Sequence, residues 1–257
     1  MRIFVLCVAA TIATACSVKE DRSVCPAEVG IAVSAPSSVL GRQIVLRAWE
    51  EGAVMQDSFL YGGGWQQRVY RLPRKELSLC SVSGVMERGT RYRIAPGKQC
   101  DSIYSVSLPL HPSGETESDS LRLRKQFATV TLSIAGVSSG GPFPYRIRAV
   151  GNTDGLDLLS SEPSSGPFIY EPEISPSLSA RFRLPRQADD SFALEFLDIG
   201  DGRVLFREES GRKLVRNGYD WSAASLPDIE IRVVLTSSGI EINVGTWDAR
   251  DPVEVEI

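Results

Sequence analysis

The sequence has few of the side chains that metal centres and nucleophilic active sites require. It contains one histidine, His111, and five cysteines among 257 residues. A single histidine excludes His-rich metal sites and leaves one position for the general base of a Ser-His-Asp triad. His111 stands before Pro112 in a polar segment, which is a poor place to orient such a base. We therefore expect no catalytic residue, no metal site and no cofactor.

Paired carboxylates are the remaining catalytic option, because glycosidases need only two acids about 5–10 Å apart. The candidates in this sequence are the adjacent pairs Glu50-Glu51, Asp189-Asp190 and Glu208-Glu209. Adjacent acids are typical of solvated turns. We therefore interpret the protein as a non-enzyme without a small-molecule substrate.

The chain also lacks a block of positive charge. Its 28 Lys and Arg residues stand against 32 Asp and Glu residues, which gives a net charge of −4. Binding to duplex nucleic acid needs a clustered cationic surface. We expect no nucleic-acid partner.

Only one stretch is apolar enough to enter a membrane, and it is short. Residues 3–13 follow Met1-Arg2 and end in small side chains. A spanning helix needs about 20 apolar residues, so this stretch indicates a secretory signal instead.

The segment after this stretch resembles a bacterial lipobox. In Ala13-Thr14-Ala15-Cys16-Ser17, small residues precede a cysteine. We interpret residues 1–15 as a lipoprotein signal peptide that is cleaved after Ala15, and Cys16 as the lipidated N-terminus. Several acyl chains would hold the protein firmly on a membrane, since one chain gives only marginal binding. The alternative is an ordinary signal peptide with Cys16 as an unmodified thiol.

The residues after Cys16 carry a resemblance to a known family. The string C-S-V-K-E-D-R-S-V-C-P at residues 16–26 resembles the mature start of the fimbrial anchor lipoproteins of Bacteroidales, which belong to the fimbrillin-type (type V pilus) assembly family. Lys19-Glu20-Asp21 resembles the short signal that sends lipoproteins of these bacteria to the outer face of the outer membrane. Residues 99–104, 123–130 and 226–247 are also similar to the family.

The resemblance implies a function, a location and partners. The protein would be a lipid-anchored fimbrial subunit that attaches fimbriae to the outer membrane and has a structural and cell-adhesion role. Its partners would be the fimbrial shaft subunits and, through Cys16, the lipid of the outer membrane.

Alternation of apolar and polar residues independently predicts an all-β protein. In the first half it marks residues 29–33, 44–49, 68–72, 77–82 and 103–110. In the second half it marks residues 127–134, 145–150, 178–184, 192–197, 204–206, 229–235 and 240–244. Short strands separated by Gly, Pro and Ser turns indicate two tandem antiparallel β-sandwiches. The resemblance implies a transthyretin-like Greek-key topology for them.

Composition also predicts the segments between the strands. Residues 136–144 and 160–177 are rich in Ser and Pro and indicate long loops, whereas residues 212–217 and 221–224 hint at a short helix. Residues 198–202 have some features of a calcium loop but lack its later bidentate acid, and a hairpin turn explains them better. Residues 111–120 are polar and rich in Ser and acids, which is typical of a linker. The predicted organisation is a tether at 16–25, a sandwich at 26–110, this linker, and a second sandwich at 121–257.

Three cysteines would remain after Cys7 leaves with the signal and Cys16 is lipidated. They are Cys25, Cys80 and Cys100. An exported protein can form disulfides, and three thiols allow one bridge. Cys80 and Cys100 belong to neighbouring strand regions and are the preferred pair. The alternative is three reduced and mostly buried thiols.

An aromatic loop supplies the alternative function. Gly62-Gly63-Gly64 lies between Tyr61 and Trp65. Such a loop could let a surface lipoprotein bind glycan or a host protein. The other interpretation, which we favour, is a hairpin loop whose aromatic side chains pack on the sheet.

The C-terminus has the pattern of one more strand. Val253, Val255 and Ile257 share one face, and Glu254 and Glu256 share the other. In fimbrillin-type pili a C-terminal strand of one subunit completes the sheet of the next, and the resemblance implies such a donor strand here. The alternative is an ordinary edge strand whose two Glu discourage unwanted pairing.

The first prediction concerns the anchor. Replacing Cys16 with Ser should leave the protein soluble or still carrying its signal, because the acylated thiol is absent. Partition between detergent and aqueous phases measures this change. A variant that still partitions into detergent like the wild type would contradict lipidation. Loss of surface labelling after replacing Lys19, Glu20 and Asp21 with Ala would separately support export.

Overall fold

Almost all regular structure in the protein is β-strand. The computed structural model describes residues 25–85, 89–136, 143–236 and 239–246. The first half contains a 3₁₀ turn at Ser37–Val39 and the strands β1 (Ala27–Ser34), β2 (Gln43–Trp49), β3 (Ala53–Leu60), β4 (Gln66–Leu72), β5 (Leu77–Ser83), β6 (Arg91–Arg93), β7 (Tyr104–Leu110), β8 (Thr116–Arg122) and β9 (Arg124–Lys125). The second half contains β10 (Phe127–Ala135), β11 (Tyr145–Asp157), β12 (Pro163–Tyr170), β13 (Ser179–Pro185), β14 (Ala193–Asp198), β15 (Val204–Glu208), the helix α1 (Ser210–Arg216), β16 (Ile229–Thr236) and β17 (Gly239–Thr246).

Each half is built from two sheets. The first half has the strand orders β4-β1-β8 and β3-β2-β5-β7-β9, and the second has β13-β10-β16-β17 and β12-β11-β14-β15. Apolar side chains from alternate strand positions, such as Val29, Ile31 and Val33 of β1, are fully buried. The predicted all-β sandwich class is therefore confirmed.

The two halves repeat one pattern of strand pairing. β1 pairs antiparallel with β4 and parallel with β8, and β10 pairs antiparallel with β13 and parallel with β16. In the other sheets, β2 lies between β3 and β5, and β11 lies between β12 and β14. The sheets are antiparallel, as predicted, except at these two parallel pairs. In both cases the parallel neighbour comes from late in its half, after several intervening strands, and no short hairpin constrains its direction.

The polar segment at residues 111–120 is not an unstructured linker. Thr116 to Arg122 form β8, which pairs with β1 from Glu28↔Thr116 to Ser34↔Arg122. This strand lies at the edge of its sheet and buries only one side chain, that of Leu121. Backbone pairing needs no apolar side chain, which explains how a sequence without alternation forms a strand here.

The two halves are in direct contact, contrary to the expectation of separate cores. β6 belongs to the first half by sequence but pairs with β11, with Arg93 opposite Gly155 and Tyr92 opposite Leu156. Arg93 also forms an ion pair with Asp154, with 2.6 Å between nitrogen and oxygen. The buried apolar residues form one continuous cluster through both halves. The structure therefore behaves as one packed unit rather than as two sandwiches on a flexible joint.

Several segments differ from the prediction in extent. β12 lies within residues 160–177, which composition assigned to a loop, and β11 continues to Asp157 beyond the predicted residue 150. The predicted helix near 212–217 is confirmed as α1, whereas residues 221–224 form turns. Most of the alternating segments are confirmed as strands within one or two residues.

Gly155 provides a test of the contact between the halves. A Cβ at this position would lie 2.1 Å from the carbonyl oxygen of Tyr92, so β6 would have to move away from β11. We expect Gly155→Ala to lower the free energy of unfolding by about 1–3 kcal/mol, as overpacking does in well-packed interiors. Urea denaturation measures this change.

Gly52→Ala is the matched control, because nothing lies within 4 Å of a Cβ built at Gly52. This variant should be close to wild type in stability. Equal stability of the two variants would contradict the proposed tightness of the β6–β11 contact.

Candidate functional site: the open edge of the first half

The predicted anchor and donor-strand residues lie outside the described residues. They comprise Ala15, Cys16, Lys19, Glu20 and Asp21 at one end, and Val253, Val255 and Ile257 at the other. Their roles stay predictions. The described part of the chain contains no helix with the length and apolar character that crossing a membrane requires.

The groups considered for catalysis or metal binding have ordinary surroundings. His111 is exposed, and within the described residues no three His, Cys, Asp or Glu side chains cluster as metal ligands would. Glu208 forms an ion pair with Lys213 at 3.0 Å, and Glu209 forms one with Arg207 at 2.9 Å. These adjacent acids therefore point to different cations and do not face a common site.

Residues 198–202 form the predicted hairpin turn between β14 and β15. The Oδ1 atom of Asp198 accepts hydrogen bonds from the backbone N–H groups of Gly200 at 2.7 Å and Asp201 at 3.2 Å. These N–H donors hold the pKa of Asp198 below its ordinary value. The carboxylate is thus engaged by the turn itself.

The preferred disulfide is wrong in this structure, where Cys80 and Cys100 are free thiols. Cys80 lies in the middle of β5 between Arg47 of β2 and Ser107 of β7. Cys100 lies against the second half, where its backbone N–H donates to the carbonyl oxygen of Arg183 at 3.1 Å. Cys80 thus lies in a strand, whereas Cys100 lies in the segment between β6 and β7, and burial raises the pKa of Cys80 to about 11. Cys25 is also free, and it is exposed.

The aromatic loop at 61–65 separates into one structural and one exposed side chain. Tyr61 is 3% exposed, and its hydroxyl lies 2.9 Å from the carbonyl oxygens of both Ala35 and Gly64. The same hydroxyl accepts a hydrogen bond from the backbone N–H of Ala35 at 3.0 Å. Trp65, in contrast, is 58% exposed. The favoured interpretation of a hairpin loop packed on the sheet holds for Tyr61 and fails for Trp65.

Trp65 lies in a part of the first half that we call the open edge. It consists of β3, the loop at 61–65 and β4, together with Leu40, which lies next to this loop at Gly63. Leu40, Val54, Leu60, Trp65 and Val69 are its exposed apolar side chains.

The open edge is formed by the terminal strands of two sheets. β3 ends the five-stranded sheet and β4 ends the three-stranded sheet of the first half. Two contacts join these strands: the Tyr70 hydroxyl donates to Asp57 at 2.7 Å, and the Arg68 guanidinium lies 4.6 Å from the centre of the Phe59 ring. Burial, together with the bond to Asp57, raises the pKa of Tyr70 well above its ordinary value. The two edges are thus linked by side chains, while one side of each backbone remains without a neighbouring strand among the described residues.

Sequence reasoning missed most of this surface. β3 was not predicted, because its residues do not alternate between apolar and polar: Val54 and Met55 are neighbours, as are Phe59 and Leu60. The signal that was present is the density of apolar residues beside Gln and Arg between residues 53 and 69. Such a composition is typical of an edge strand, where one backbone side has no partner.

Comparisons with known proteins show which solved structures share this fold. No family model and no curated protein sequence matches the chain. The fimbrial anchor protein Mfa2 from Porphyromonas gingivalis matches in structure with a TM-score of 0.64 and 12% identity, over 86% of this chain and 97% of that chain.

Two structures from Bacteroides are similar to a comparable degree. A candidate polysaccharide-binding protein from Bacteroides thetaiotaomicron has a TM-score of 0.66 and 8% identity, over 89% of this chain and 98% of that chain. A candidate adhesin from Bacteroides ovatus has a TM-score of 0.60 and 11% identity, over 90% and 96%. The chain shares the fold of these proteins. The match spans both halves.

Tyr61 and Trp65 offer a test of their different roles in the open edge. Tyr61→Phe removes a buried hydroxyl and leaves the N–H of Ala35 without that acceptor. We expect this change to lower the free energy of unfolding by about 1–2 kcal/mol. Trp65→Phe, at an exposed position of the same loop, should change it by less than about 0.5 kcal/mol. Chemical denaturation of both variants measures the difference, and a larger loss for Trp65→Phe would contradict these assignments.

Proposed function

We propose that this chain is a lipid-anchored fimbrial subunit, which attaches fimbriae to the outer membrane through acyl chains on Cys16. The observation that carries the proposal is the fold shared with a fimbrial anchor protein over 97% of that protein's chain. The sequence at residues 16–26 supports it independently, because a lipobox and an anchor-type N-terminal string are not features of the fold.

The location follows from the same residues. Lipid on Cys16 would hold the protein on a membrane without a spanning helix. Lys19-Glu20-Asp21 would direct it to the outer face of the outer membrane, where fimbrial shaft subunits are accessible. A protein in this position transmits force between lipid and fimbria and needs no catalytic group.

We further propose that the C-terminal strand connects the protein to the shaft. Val253, Val255 and Ile257 would fill pockets on the shaft subunit, and the backbone between them would add a strand to its sheet. The open edge supports an assembly role, since exposed apolar edge strands favour contact with another chain. The alternative for residues 253–257 is a strand that pairs within its own chain.

Glycan capture is the second candidate function. The exposed Trp65 favours it, because aromatic rings commonly stack on sugars, and one structure of this fold is that of a candidate polysaccharide-binding protein. The buried Tyr61 disfavours it, because the loop then offers one aromatic face rather than two. Under this alternative, Trp65→Ala would abolish glycan binding and leave the fimbriae unchanged.

The connector is tested by deleting residues 252–257 in the native bacterium. We expect membrane-bound fimbriae to fall to a small fraction of the wild-type level, while the truncated protein itself stays in the membrane fraction. Electron microscopy of cells and immunoblots of the culture medium measure the two quantities. Fimbriae shed into the medium are the expected product.

Two matched variants test the apolar face and the acidic face of the proposed C-terminal strand separately. Replacing Val253, Val255 and Ile257 with Ser should reproduce the deletion, because the pocket-filling side chains are lost. Replacing Glu254 and Glu256 with Gln should leave the fimbriae attached. Normal levels of membrane-bound fimbriae after the deletion would show that the tail is not the connector.

A further inference from the structure

A cavity of about 610 Å³ lies where the two halves meet. Its walls come from β7 and β9 of the first half and from three segments of the second half, which follow β11, β13 and α1. The volume is within the range of small-ligand sites, about 300–1,000 Å³. The open edge does not contribute to it.

A buried arginine without a carboxylate partner lines this cavity. Arg186 is 8% exposed, and its Nε donates to the side-chain oxygen of Gln126 at 2.7 Å. Its two terminal nitrogens donate to the backbone oxygens of Trp221 and Lys125. A guanidinium carries five N–H donors, so two remain without an acceptor among the described residues. A buried cation that has only neutral partners is costly, and a bound anion would remove that cost.

The charges around the cavity favour a single negative charge on that ligand. Arg124 lies on the rim and is exposed, and Glu162 is the acid among the lining residues. Asp220 is close enough to influence Arg186, but its Oδ1 already accepts from the N–H and the hydroxyl of Ser222. Two guanidinium groups against one lining carboxylate suit a carboxylate better than a doubly charged phosphate.

We propose that this cavity binds a small carboxylate. The carboxylate would accept from the two free N–H groups of Arg186. The exposed guanidinium of Arg124 in β9 would add a second positive charge. The ligand would thus be held by residues that the fold brings together from both halves.

Titration of the full chain with sodium D-glucuronate tests this site, with D-glucose and inorganic phosphate as competing probes. The indole N–H signal of Trp221, assigned with a Trp221→Phe variant, reports binding by NMR. Glucuronate should shift this signal saturably, and glucose at the same concentration should not. Absence of a shift with glucuronate, an equal shift with glucose, or tighter binding of phosphate would each overturn the proposal.

Variants test which residues bind glucuronate. Arg186→Gln should abolish the shift of the Trp221 signal. Arg124→Gln should weaken glucuronate binding about tenfold, as loss of a charged hydrogen-bonding partner does. Arg122→Gln is the matched control, because Arg122 is exposed and does not line the cavity. Arg124→Gln keeps the test decisive if Arg186→Gln fails to fold. Equal affinity of the Arg124 and Arg122 variants would overturn the proposed site.

Discussion

Gln126 is the residue on which the arrangement of the two halves depends. It is the only residue between β9 of the first half and β10 of the second, and it is buried. Its backbone N–H and its side-chain amide donate to the carbonyl oxygens of Ile103 and Ser105 in the first half. Its backbone and side-chain oxygens accept from the N–H and the Nε of Arg186 in the second half. All four polar groups are therefore used, two on each side.

This pairing limits how the halves can move. Rotation of one half would break charged and neutral hydrogen bonds in a buried place, where unpaired polar groups are costly. The β6–β11 pairing and the ion pair of Arg93 with Asp154 lie on another part of the same contact. The two halves are thus attached at two separate places. The attachment at Gln126 and Arg186 also lines the cavity.

Sequence patterns predicted the central strands and missed the edge strands β3, β8 and β12, for one physical reason. β1, β5, β10 and β14 bury side chains in the core, and burial selects apolar residues that a pattern can detect. β3, β8 and β12 have a partner on one side only and expose most side chains, so backbone hydrogen bonds specify them and side chains do not. The repeated strand order of the two halves could not be predicted either, because it too depends on backbone hydrogen bonds and not on side chains. The cavity was missed because Gln126, Arg186 and Trp221 are far apart in sequence, and only the fold brings them together.

The position of β1 bears on how an anchored subunit would carry load. β1 follows the proposed lipid-bearing cysteine and lies in the centre of its sheet, between β4 and β8. Tension applied along β1 from its N-terminal end would stretch its hydrogen bonds to both neighbours together, since these bonds run across the direction of pull. An edge strand pulled in the same direction would be held by one neighbour only, and a strand pulled sideways would lose its bonds one pair at a time. A central strand thus suits attachment to a lipid tether better than an edge strand does. The exposed edge strands β3 and β4 remain available for contact with another subunit.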